Sequence, residues 1–156
     1  MAEFTLLMGA DLGDPAHTFA RATALIAARI GKVLATSRDH WTKPWGFQSD
    51  RPFLNRALLV ESTMDPGQVM DGLLQIEQEL GRKRAPSEGY ASRLIDLDIL
   101  FIGAQIRDQP GLRVPHPRVH LRTFALAPAA DIVPGLMHPQ AGRTVLDLLN
   151  HCQQQA

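Results

Sequence analysis

The chain has 156 residues, 45% of them hydrophobic and 21% charged, and its sixteen basic and sixteen acidic side chains cancel to zero net charge. Those totals describe one ordinary globular domain spanning 1–156, rather than a disordered or membrane-spanning chain. A neutral chain sets up no global field toward nucleic acid or anionic lipid, so neither partner is expected and any charge-driven chemistry must be local.

The N-terminal MAEFTLLMGAD carries neither a basic n-region nor a long apolar core, so it does not read as a signal peptide. No apolar run reaches the length of a bilayer, and a cytoplasmic, monomeric protein is expected. Phe4-Thr5-Leu6-Leu7-Met8 reads as a buried first strand, followed by the turn Gly9-Ala10-Asp11-Leu12-Gly13-Asp14. Asp14 then caps a helix whose first turn holds Pro15, with Phe19, Ala22, Leu25, Ile26 and Ile30 at helical spacing and Gly31 as its stop. Lys32 to Trp41 suits a second strand, although its alternation is weak. Thr42 to Pro52 holds Lys-Pro, Trp-Gly and Arg-Pro pairs and reads as a long irregular loop, before a third strand over Phe53–Ser62.

Asp65-Pro66 opens a second helix with Val69, Leu73, Ile76 and Leu80 inward and Gly81 at its end. Arg82 to Ser92 is a polar, basic loop, and Leu94 to Ile102 is an apolar strand interrupted by two aspartates. A short strand is expected around Gln105-Ile106. Pro115-His116-Pro117 forbids helix locally, a third helix runs from near Arg118 to about Ala130, and a last one runs from its cap Thr144 to Cys152. Cys152 is the only cysteine, which excludes an intramolecular disulfide and a cysteine-rich zinc site. The order β-α-β-β-α-β predicts a ferredoxin-like α+β sandwich with helices on one face and extra C-terminal helices.

The sharpest chemical signal is Ile95-Asp96-Leu97-Asp98-Ile99-Leu100-Phe101. Strand periodicity puts Asp96 and Asp98 on one face, and Leu97, Ile99 and Phe101 on the other. Carboxylates at i and i+2 stand roughly 6–7 Å apart at Cα, close enough to flank a hard cation. The competing reading is a solvated face of an antiparallel sheet. Upstream, Arg82, Lys83, Arg84 and Arg93 outnumber the single acid Glu88, and such a loop suits an anionic ligand as well as it suits bulk water. Magnesium sites combine one or two protein carboxylates with substrate phosphates, so the dyad and the basic loop support each other. Downstream, His116 is held extended between two prolines, where it suits phosphate donation or acid–base work. His116 and His120 have the spacing of helical metal ligands, but Pro117 breaks the geometry. Trp45, Phe47, Phe53 and Asn55 offer aromatic faces and an amide to a flat heterocycle. Gly9–Gly13 lacks the GxxxxGK[ST] pattern and is no P-loop.

The motifs MGADLGDP, TKPWGF…RPFLN, IEQELGRKR, SRLIDLDILFIG and VPHPRVHLRTF follow one another across nearly the whole chain. In that order the chain resembles the 6-hydroxymethyl-7,8-dihydropterin pyrophosphokinases of folate biosynthesis. The resemblance implies a ferredoxin-like fold and transfer of pyrophosphate from ATP to the pterin hydroxymethyl group, with release of AMP. It implies that Asp96 and Asp98 hold two Mg2+ ions and that Arg82, Arg84 and Arg93 belong to a catalytic loop. Glu77, Arg84, Tyr90, Arg93, Ile99, His116 and Arg122 match positions around ATP. Thr42, Pro44, Trp45, Phe53, Asn55 and Phe124 match the pterin pocket, with Phe53 and Phe124 as stacking faces. The chain departs from the family at Gly9-Ala10-Asp11, where Gly-Ser-Asn is usual, and at Ser92-Arg93-Leu94, where Pro-Arg-Thr is usual. An acidic residue common near His120-Leu121-Arg122 is absent too. Those departures keep two alternatives open: a paralogue acting on another heterocyclic alcohol, and a non-catalytic nucleotide- or pterin-binding protein.

Overall fold

The computed structural model describes residues 1–11, 13–42, 52–81 and 95–154. Its first strand, β1 (Ala2–Ala10), is buried from Phe4 onward on both faces, as a central strand must be. Asp14 then caps α1 (Pro15–Arg29) by accepting the His17 N–H at 3.2 Å. The helix stops where expected because the chain must pass close to the backbone of Glu61. A Cβ on Gly31 would sit 2.2 Å from the Glu61 carbonyl oxygen, which only glycine avoids.

The expected second strand is two strands, β2 (Lys32–Thr36) and β3 (His40–Thr42), and both pair antiparallel with β4 (Phe53–Ser62). Side chains interrupt the ladder between them. The Ser37 hydroxyl accepts the Ala57 N–H at 2.8 Å and donates to the Arg38 carbonyl, while Asp39 accepts from the Arg56 guanidinium. Thr42, expected in the loop, is the last residue of β3. Helix α2 (Pro66–Glu79) begins in a capping box between Asp65 and Gln68.

Strand β5 (Asp96–Ile102) completes the main sheet, whose order β2-β4-β1-β5 with all pairs antiparallel is that of a ferredoxin-like sandwich. The short strand expected at Gln105-Ile106 lies just beyond, as β6 (Arg107–Gln109), in a hairpin with β7 (Leu112–Val114). The peptide bond from Val114 to Pro115 is cis. The helix expected from Arg118 starts later: a 3-10 turn at Val119–Leu121 precedes α3 (Thr123–Ile132). A small hairpin, β8 (Met137–His138) with β9 (Arg143–Thr144), leads to α4 (Val145–Gln154), which Thr144 caps through the Asp147 N–H at 3.1 Å.

The expectation that helices occupy one face holds only for α1 and α2. Their residues Phe19, Ile26, Leu73 and Ile76 enclose one core with Phe4, Leu6, Met8, Leu97 and Ile99. On the opposite face Ala125, Leu126, Ala129 and Leu148, from α3 and α4, pack on Leu7, Leu100 and Phe101. Phe101 thus faces away from Leu97 and Ile99, contrary to simple alternation. A register slip between Thr5 and Leu6, opposite Ile99–Phe101, inserts one extra residue in β5 and turns Phe101 over. The aromatic ring joins the second core, where burying it contributes about 1.5–3 kcal/mol.

Candidate active site

Pairing across the sheet sets residues from four strands side by side. Gly9 on β1 is opposite Asp96 on β5 and opposite Asn55 on β4, and Asn55 is in turn opposite His40 on β3. Directly paired residues share a face, so Asp96, Gly9, Asn55 and His40 form one row. In the next row Asp98 is opposite Leu7, which places both carboxylates on the α3 side of the sheet. The slip at Ile99–Phe101 lies after the aspartates, so the expected sharing of a face by Asp96 and Asp98 is what the register gives.

Gly9 is the gap in this row. A Cβ there would come within 2.8 Å of the Phe53 ring and 3.1 Å of Asn55 Oδ1, so the bare backbone makes room for both side chains. Phe53 is half-buried and pairs with Thr42, whose hydroxyl lies 3.4 Å from the Phe53 carbonyl oxygen. Asn55 is 1% exposed, and its Nδ2 has no hydrogen-bond partner among the described residues. Arg122 stands at the start of α3, and its guanidinium lies 5.4 Å from the Phe124 ring centroid.

Asp98, Ile99 and His116 meet in one cleft of about 330 Å³, together with Met70, Leu112, Arg113 and Val114. The sequence reading missed Met70, Leu112 and Arg113, and held Val114 only as the first residue of VPHPRVHLRTF. Their signal was present in the alternation of Leu112, Arg113 and Val114 after Gly111, which puts Leu112 and Val114 inward and leaves Arg113 at the rim. The His116 amide donates to the Leu100 carbonyl at 2.9 Å, so the histidine is fastened to the outer edge of β5. Its Nδ1 faces the Arg118 N–H at 3.3 Å, an arrangement that assigns the ring proton to Nε2. Burial and the neighbouring Arg122 and Arg118 cations push its pKa below the ordinary 6.5, which keeps the ring neutral near pH 7. Arg118 itself is exposed.

Glu77 lies behind β5 on the α2 side, 2% exposed, where its Oε2 accepts the Leu97 N–H at 2.6 Å. That bond fixes the backbone between the two aspartates. A second feature absent from the sequence reading ties α3 to β3. Asp131 accepts from His40 Nε2 at 2.8 Å and from the Arg38 backbone and guanidinium at 3.0–3.3 Å. Burial raises the Asp131 pKa, but these hydrogen bonds outweigh it and bring the carboxyl down to about 2. Arg82, Arg84, Tyr90, Arg93, Pro44 and Trp45 lie outside the described residues.

Asp96 and Asp98 offer hard oxygen donors, and among the described residues no group of three His, Cys, Asp or Glu side chains forms a closed cage. A two-carboxylate platform beside an open cleft fits magnesium shared with phosphates better than it fits zinc.

The model of the 7,8-dihydro-6-hydroxymethylpterin-pyrophosphokinase family matches residues 5–134. The chain belongs to that family. The 2-amino-4-hydroxy-6-hydroxymethyldihydropteridine pyrophosphokinase of Porphyromonas gingivalis is 38% identical over 143 residues, covering 90% of this chain and 97% of the relative. The enzyme of the same name from Methylorubrum extorquens is 37% identical over 151 residues, or 96% and 92% of the two chains. The fold of this pyrophosphokinase is also that of an HPPK-DHPS protein crystallised in complex with substrates. The TM-score is 0.76 at 14% identity, over 99% of this chain and 44% of that longer one.

Proposed function

We propose that the residues described above carry out the family's reaction: transfer of pyrophosphate from ATP to the hydroxymethyl oxygen of 6-hydroxymethyl-7,8-dihydropterin. The hydroxymethyl oxygen attacks the β-phosphorus, the bond from that phosphorus to the oxygen bridging to the α-phosphorus breaks, AMP leaves with that oxygen, and the hydroxyl proton passes to solvent. One observation carries the assignment of roles. Asp98 opens on the cleft that holds Ile99 and His116, while Asp96 stands in register with Gly9 and Asn55. The carboxylates therefore lie between the end of the site suited to a nucleotide and the end suited to a flat heterocycle.

Asp96 and Asp98 would hold two Mg2+ ions, which screen phosphate charge and polarise phosphoryl oxygens when bound. The chain's own groups do the rest. Glu77 keeps the aspartates' backbone rigid, neutral His116 donates Nε2–H to a phosphate oxygen, and Ile99 with Leu112 and Val114 gives the adenosine an apolar seat. Arg122 pairs with phosphate at the head of α3. Phe53 and Phe124 stack on the pterin and Thr42 and Asn55 meet its edge, and the family resemblance assigns Pro44 and Trp45 to the same ligand. The family resemblance assigns Arg82, Arg84 and Arg93 to the phosphates and Tyr90 to the nucleotide. Residues 1–156 act as a single monomeric domain in the cytoplasm.

The test is AMP release. MgATP with the dihydropterin is expected to yield AMP, MgATP alone or pterin with EDTA is not. Tight binding of an ATP analogue with no AMP formed would favour a non-catalytic binding protein. AMP released only with a different heterocyclic alcohol would make the chain a paralogue of altered substrate.

A further inference from the structure

Two buried side-chain atoms lack a hydrogen-bond partner among the described residues, and both belong to one end of the site: Oδ1 of Asp11 and Nδ2 of Asn55. Buried polar atoms are almost always paired, so two orphans in one place ask for a common explanation. They do not satisfy each other, although one is an acceptor and the other a donor. Asp11 follows the last paired residue of β1, Ala10, which is opposite Leu54, and it stands two residues beyond Gly9. Carrying the alternation of β1 one residue past its end puts Asp11 on the face where Gly9 gives way to Phe53 and Asn55. The Asn55 amide and the Phe53 ring border the space beside Gly9, and the Asp11 acceptor follows two residues along the chain.

We infer that Asp11 is a specificity-determining residue that reads the amino edge of the heterocycle. This inference rests on the proposed function. The carboxylate accepts N–H donors from the ring, while the Asn55 amide donates to an adjoining ring nitrogen or oxygen. The 2-amino-4-hydroxypteridine that the relatives' names specify has an edge of this kind, with the amino group at position 2 as donor and ring acceptors next to it. An ionised carboxylate only accepts, whereas an amide can turn to donate. Asp11 therefore excludes a carbonyl at position 2 more strictly than an asparagine in its place, because two acceptors would meet across a buried contact.

The experiment measures equilibrium binding in the presence of Mg2+ and α,β-methylene-ATP. The ligands are 6-hydroxymethylpterin and its 2-oxo counterpart, 6-hydroxymethyllumazine, and the proteins are wild type and Asp11→Asn. Wild type is expected to prefer the pterin by at least about 30-fold, and Asp11→Asn by no more than about threefold. Affinity for the ATP analogue, unchanged within about twofold, shows that the variant is folded. A discrimination that survives intact in Asp11→Asn, or a wild type that binds both ligands alike, overturns the role of Asp11 alone. A wild type that holds the ATP analogue but neither heterocycle overturns the proposed function, and this inference with it.

Discussion

The two faces of the sheet are built from the same strands and do different work. Toward α1 and α2, Phe4, Leu6, Met8, Leu97 and Ile99 are almost wholly buried in the larger apolar core. Toward α3 and α4 the same strands present Leu7, Leu100 and Phe101 to a smaller core, and then Gly9, Asn55, Asp96 and Asp98. The first face serves stability, except at the edge where Ile99, Leu112 and Val114 also line the cleft. The other is divided, and its polar half is tolerable because the carboxylates reach toward solvent: Asp98 is exposed and Asp96 half-buried, so neither bears the full cost of desolvation. A site can sit on a sheet covered on both faces without weakening it when the polar residues occupy alternate positions at one end of one face.

The largest effect expected from breaking this division is on turnover. Asp98→Ala should lower kcat by at least about 10²-fold, by analogy with removal of a single electrostatic stabiliser. Its unfolding free energy in urea should stay within about 0.5 kcal/mol of wild type, since the side chain is exposed. A normal rate in steady-state assays would remove Asp98 from the site. On the closed face the result should invert. Leu6→Ala is expected to cost about 2–5 kcal/mol in urea titrations while the folded fraction keeps its turnover. A loss under about 1 kcal/mol would mean that this core relaxes around the gap.

The smallest effect probes the clamp between α3 and β3. Asp131 has a folded pKa of about 2 against an ordinary 3.8, so its contribution is complete above about pH 4 and drains away between pH 4 and pH 2. Asp131→Asn should therefore cost about 1–2 kcal/mol near neutrality, and the gap to wild type should close across that window. Chemical denaturation at stepped pH checks it; a gap that stays constant down to pH 2 would show that the Arg38 and His40 bonds do not hold the charged form.

Local chemistry was legible wherever short-range rules suffice. Asp14, Asp65 and Thr144 announce their helices because a cap satisfies amides two or three residues away. The aspartate pair could be set on one face because alternation holds over three residues. Longer inferences failed where a partner strand intervenes. Ser37 splits the second strand only because Ala57 lies across from it, and Phe101 turns over only because β1 is one residue short opposite it. Asp131 and His40 are 91 positions apart, and nothing near either residue announces the other.

The sequence by itself determined the core order β-α-β-β-α-β, the caps, the carboxylate pair and, through five motifs in series, the family. These are matters of local spacing and residue type, and they survive without knowledge of any contact. Tertiary structure alone decided that α3 and α4 cover the second face, that Leu112 and Val114 join Asp98, Ile99 and His116 in one cleft, and that Gly9 opens the row between Asp96 and Asn55. Those outcomes depend on register and on which atoms fill the space across a strand pair, and a single residue's slip in pairing changes every one of them.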